Sequence, residues 1–159
     1  MDTSGHTSLC EDYVSFETAK LLKEKGFNHW CYKSYGDAVY HKGVPISYDE
    51  ECDLKSEGLE DEIEYVEGGC LYDFGCDNRK KDAKVWAAPT LWVAMKWLRK
   101  VHEIFIRPNI NFLYPIRYYC EIFCYGDNLK TQQDVTTESF ESPEEACEAA
   151  IKYCLKDLI

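Results

Sequence analysis

The sequence predicts an α+β fold, an antiparallel sheet with helices packed on one face, and three observations lead there. Leu91, Ala94, Met95, Leu98 and Val101 recur at the i, i+3, i+4, i+7 spacing of one buried helical stripe. Residues 116–125 (IRYYCEIFCY) concentrate the β-branched and aromatic side chains that suit a strand. Helical signals stand near residues 15, 90 and 142, with strands in runs between them. Antiparallel pairing with helices on one face is the economical solution for that order.

Residues 1–13 form a loose polar lead. Ser15 then caps a helix over 15–25 whose apolar face is Phe16, Ala19 and Leu22. Lys20, Lys23, Glu24 and Lys25 take most of the remainder, and Gly26 before Phe27 fits a C′ glycine. Residues 30–35 alternate as a strand, Gly36-Asp37 supplies a turn, and 38–41 returns as the hairpin partner. Residues 44–84 read as an acidic insertion, a long loop holding one short strand (63–66, 70–72). It closes on the basic cluster Arg79-Lys80-Lys81.

Pro89 and Thr90 start the central helix. Trp92, Val93 and Trp97 widen its stripe, which predicts packing on two sides. Lys96, Arg99, Lys100 and His102 gather at its C-terminal end, where positive charge suits the helix dipole. A strand over 103–107 follows, then a turn bracketed by Pro108-Asn109 and Tyr114-Pro115, then strand 116–125. Gly126-Asp127-Asn128 turns the chain into a third, more polar strand within 129–139. Ser142 and Glu145 make a capping box with Pro143 at the first helical position. The last helix sets Cys147, Ala150, Ile151, Cys154 and Leu158 on one face.

The result is a single domain, 1–159, of order α-ββ-(acidic insertion)-α-βββ-α. From residue 90 onward that order has double-stranded-RNA-binding-domain-like topology. Such domains place bases at the start of the last helix, where this chain has Glu144 and Glu145, which would repel phosphate. The expectation is a likeness of topology without that activity.

No leader-like apolar run stands near the start, and no stretch reaches the roughly 18 apolar residues of a membrane span. A cytoplasmic location, with no membrane partner, is the expectation. Nine cysteines there are expected to be reduced thiols.

The net charge of −11 has one source. Residues 48–78 hold twelve acids against Lys55 alone, which leaves seventeen acids and seventeen bases elsewhere. A free phosphate backbone would be repelled by that segment and a basic protein surface attracted. Asp49, Glu50, Glu51, Asp53, Glu60, Asp61, Glu62 and Glu64, with Tyr48 and Tyr65 among them, are the candidate partner-binding residues. Carboxylates give steering and the interleaved aromatics give anchors.

Catalytic and metal readings find less support. Cys120 and Cys124 share strand parity but stand about 13 Å apart at ~3.3 Å per residue, too far for one ion. Cys70 and Cys76 have five residues between them, and Cys147 and Cys154 read as small core residues. No calcium-loop pattern, phosphate loop, nucleophile elbow or HExxH motif is present. His29 beside Cys31 does not establish a catalytic pair, and His102 reads as a dipole-compensating cap. No cofactor, no metal and no enzymatic activity are expected. The alternative is a binder of nucleic acid or a (cyclic) nucleotide. It would use Arg107, Arg117 and Tyr118 with the aromatics Phe112, Tyr114, Tyr119, Phe123 and Tyr125.

SFETAKLLKEKGF (15–27), APTLWVAMKWLRKVH (88–102) and SPEEACEAAIKYCLKDLI (142–159) resemble a family of small proteins. That family occurs in prophages and mobile elements of Bacteroidetes and their phages, with FETAKLxKEKGF, APTxxxxxKWLRxVH and terminal EEAxEA helix motifs. The match covers about a third of the chain, mostly helix positions, and brings no catalytic residues with it. Genetic settings of this kind imply an accessory protein that disables a host or anti-phage-defence protein, CRISPR-type effectors among them. With the acidic segment, the expected partner is a basic protein or nucleoprotein, direct nucleic-acid binding being the weaker reading.

Overall fold

The computed structural model describes residues 12–125 and 135–159. Helix α1 (Phe16–Glu24) begins where the Ser15 hydroxyl accepts the Thr18 N–H. It ends in a Schellman motif, with Phe27 N–H on the Leu22 carbonyl and Gly26 N–H on that of Lys23. Gly26 takes φ +90°, which a side chain would strain. Lys23, expected on the solvent side, is buried instead. Its Nζ donates to the Ala83 and Val85 carbonyls at 2.6 and 2.9 Å, and burial pushes its pKa down.

Strand β1 (Lys33–His41) corrects the expected hairpin, because the chain runs straight through Gly36-Asp37, which faces a bulge in the partner strand and is not a turn. The Tyr72 ring closes against Gly36, where a Cβ would meet it at 3.0 Å. The Tyr72 hydroxyl also donates to the Asp37 carbonyl at 2.7 Å. Together these hold the bulge inside the ladder. The chain turns later, at Lys42 and Gly43, both at positive φ, into β2 (Val44–Pro45).

The acidic segment is not the expected long loop. It forms helix α2 (Tyr48–Ser56), a 3-10 turn (Glu60–Glu62) and the ten-residue strand β3 (Ile63–Tyr72). β3 pairs with β1 on both sides of Gly68-Gly69, where Glu67–Gly69 bulge opposite Asp37 between the Gly36–Cys70 and Ala38–Val66 pairs. β4 (Val85–Ala88) pairs with the first half of β1, opposite β3. β1 is therefore the central strand of this sheet.

Helix α3 (Leu91–His102) is capped by Thr90 and buries Leu91, Ala94, Trp97 and Leu98. The predicted two-sided packing is corrected: Trp92 is 66% exposed and Val101 55%, so one face alone enters the core. His102 lies edge-on to Trp97 with centroids 4.7 Å apart, and burial pushes its pKa down. Burial of this ring, with Nε2 unpartnered among the described residues, disfavours the charged form that a dipole-compensating cap needs.

β5 (Ile104–Asn111), β6 (Arg117–Cys124) and β7 (Val135–Thr136) make a second antiparallel sheet, so the strands divide between two sheets. β5 continues through Pro108-Asn109, where the sequence predicts a turn, because it pairs with β6 alone and an edge tolerates proline. The expected turn at 126–128 and the first part of the third strand lie outside the described residues. Helix α4 (Pro143–Tyr153) closes the fold, with the Ser142 hydroxyl accepting the Glu145 N–H at 3.1 Å. Its last turn widens to a π-type turn over Cys154–Leu158.

α1 packs on β4, and α4 packs on β5 and β6 while touching α1 and α3. One continuous core runs from Trp86 through Leu22, Leu98 and Ile151 to Ile122. The fold is α+β with antiparallel sheets, and α3-β5-β6-β7-α4 follows the expected order. Among the described residues no helix is long and apolar enough to cross a membrane.

Candidate functional site

Helix α2 buries none of its side chains. Local chemistry explains why it is nonetheless a helix. The Ser47 hydroxyl accepts the Glu50 N–H while the Glu50 carboxylate accepts the Ser47 N–H at 2.7 Å, a full capping box. Asp49, Glu50 and Glu51 in the first turn suit the positive end of the dipole. One anchor joins it to the sheet: Tyr65 and Lys55 both donate to Glu51 Oε1 at 2.6 Å, with Lys55 over the Tyr65 ring. Lys55 first, then Tyr65, hold the Glu51 carboxyl below the usual range.

The predicted acidic residues therefore fall into two groups. Glu50, Glu51 and Glu62 are committed locally, Glu62 accepting from His41 at 2.9 Å with Lys42 beside it. The His41 hydrogen bond, then the Lys42 charge, lowers the Glu62 pKa. Asp49, Asp53, Glu60, Asp61 and Glu64 are exposed, and none makes an ion pair within 4 Å among the described residues. Tyr48, 77% exposed, stands beside them.

The alternative set is not brought together. Arg107 and Arg117 share the outer face of the second sheet, but their cross-strand partners Glu121 and Asn111 set them four residues apart. That is about 13 Å at the strand rise. Arg107 is paired with Glu121 and lies over the Phe123 ring at 5.2 Å. Arg117 donates to the Ser139 carbonyl and pairs with Glu141. Tyr118 has the opposite parity and packs against the core.

A groove of about 590 Å³ opens where the N-termini of α3 and α4 meet the approach to β1. Ala88, Leu91 and Cys147 contribute apolar wall, and Tyr13, Trp30, Tyr32 and Trp92 surround it. Trp30 lies against Gly75, where a Cβ would overlap the indole, and meets Tyr32 edge-on at 4.8 Å. Trp30 and Tyr32 are 57% and 79% exposed. Residue patterning alone places Trp92 in the core and Trp30 and Tyr32 in a strand, so it misses this groove. The two-residue spacing of Trp30 and Tyr32 is the available signal, since it places both rings on one side.

Burial disfavours the thiolate at several of the described cysteines, while at Cys147 the Cys120 hydrogen bond lowers the pKa. Burial pushes Cys31 and Cys154 up to about 12, and Cys76 is raised by the same cause. Cys120 is raised by its hydrogen bond to Cys147 and by burial. Among the described residues no group of three or more His, Cys, Asp or Glu is placed to hold a metal ion.

Comparison with family models, curated proteins and solved structures finds no match to this chain.

Proposed function

We propose that this chain is a non-catalytic, phage-type accessory protein that binds and inhibits a basic host or anti-phage-defence protein. The observation that carries this reading is α2. It is capped at its start and pinned by Glu51, yet it contributes no side chain to the core. A helix kept in place without serving packing displays its surface, and here that surface is Asp49 and Asp53, continued by Glu60, Asp61 and Glu64. Unpaired carboxylates concentrated in one segment raise the association rate with a basic surface, and Tyr48 supplies an apolar contact among them. The resemblance of the three helix motifs to those of prophage proteins supports the phage setting, and the host cytoplasm goes with that reading.

The test is a pull-down from nuclease-treated host lysate with wild-type protein and a variant carrying D49N, D53N, E60Q, D61N and E64Q. Wild-type protein is expected to retain a basic protein that high salt releases, and the variant to lose it. Equal capture by both proteins overturns the reading.

A further inference from the structure

The aromatic groove lies about 20 Å from the α2 anchor, since Tyr32 precedes β1 and Tyr65 pairs with Val39 six residues along it. The groove is a separate surface, and its chemistry is independent of the acidic face.

We propose that the groove binds an arginine side chain presented by a peptide segment of another protein. Its rim carries the carboxylates of Asp12 and Glu144, both exposed, and no Lys, Arg or His among the described residues lines it. Two helix N-termini also point there, at Thr90 and Ser142, each equivalent to about +0.5 charge. Lys33, beside Tyr13, is paired with Asp73 at 3.0 Å, so the two carboxylates against the two helix ends leave about −1, which disfavours an anion and draws in a cation.

The walls choose among cations. Trp30, Tyr32 and Trp92 present exposed rings, and indole faces are the best side-chain partners for a cation. A planar guanidinium stacks on such faces and forks to a carboxylate, which a compact ammonium cannot do in one pose. The volume, about 590 Å³, exceeds one side chain and accommodates the flanking peptide. Tyr13 is already engaged, with Lys33 Nζ 4.9 Å from its centroid, so the incoming cation uses the other three rings.

The experiment is an NMR titration of the full chain, following the indole N–H signals of its four tryptophans. The probe is acetyl-Gly-Ala-Arg-Ala-Gly-amide, with a citrulline peptide as neutral isostere and a glutamate peptide as anion. The arginine peptide is expected to shift Trp30 and Trp92 while leaving the buried Trp86 and Trp97 in place. W92A, and separately D12N with E144Q, are expected to weaken that binding about five- to tenfold. The variant neutralised on α2 keeps the response, which separates this inference from the acidic-face reading. Equal shifts from the citrulline peptide, stronger shifts from the glutamate peptide, or no response at Trp30 and Trp92 overturn it.

Discussion

The Tyr65 hydroxyl and the Glu51 carboxylate, 2.6 Å apart, are the hinge pin between helix α2 and strand β3. Because α2 buries nothing, this contact and the Lys55 pair on the same oxygen stand where a helix normally has an apolar face. Y65F removes the donor and keeps the ring under Lys55. A lost hydrogen bond of about 1 kcal/mol corresponds to about fivefold easier local opening. Hydrogen exchange should show α2 amides exchanging faster by that factor while α4 amides hold their rates. Unchanged α2 protection would mean that the capping box alone retains the helix.

Glu17 joins α1 to α4 by accepting from Lys152 at 2.7 Å and from Lys156 at 2.8 Å. Those two hydrogen bonds, then the charges behind them, lower its pKa from 4.5 to about 2. A depressed folded-state pKa means that the folded protein holds the proton less tightly than the unfolded chain. The stabilisation is therefore complete above the unfolded value of about 4.5 and disappears as pH falls through about 2. In urea titrations at a series of pH values, E17Q should be the less stable protein at about pH 6. The gap should narrow below pH 4.5 and close near pH 2. A constant gap would assign the effect to packing.

Gly68 sits beneath Phe16, whose ring also meets Tyr35 and Trp86 at centroid distances of 5.7 and 4.9 Å. A Cβ there would overlap the Phe16 ring, and Gly68 has φ +62°. G68A must push out a ring wedged between two others, so a loss of about 1–3 kcal/mol is expected. G43A has the same positive φ problem with open space around it, so it isolates the backbone share. Thermal unfolding of both variants checks this, and equal losses would show that the Phe16 contact contributes nothing.

The helices of the core were legible because each combines a stripe with a boundary signal. Ser15 and Gly26 frame α1, Thr90 opens α3, and Ser142-Pro143 opens α4. Helix α2 was missed although Ser47-x-x-Glu50 is the same boundary signal, because it has no apolar stripe to follow the cap. The hairpin at Gly36-Asp37 failed for a different reason. Local turn chemistry lost to a tertiary partner, Tyr72, thirty-five residues beyond Asp37. The acidic residues stand out as a segment, but which carboxylates stay unpaired depends on His41, Lys42 and Tyr65 arriving from neighbouring elements. The groove was illegible because Tyr13, Trp30 and Trp92 meet only after β1, α3 and α4 have packed.

Leu98 and Trp92 lie on the same helix, and their contrast tests the one-sided packing of α3. Leu98 is fully buried among the core side chains, whereas Trp92 keeps 66% of its surface. Truncating a buried leucine removes transfer energy and leaves a cavity, so L98A should cost about 2–5 kcal/mol. Trp92 stands in the first turn of α3, but its side chain makes no cap hydrogen bond and stays exposed, so truncating it should change stability by no more than about 0.5 kcal/mol. Urea denaturation at fixed pH separates the two, with equal slopes confirming that neither change alters the surface exposed on unfolding. A loss for W92A approaching that of L98A would place Trp92 in the core. The aromatic wall of the groove would then serve packing, and weaker peptide binding by W92A would reflect misfolding.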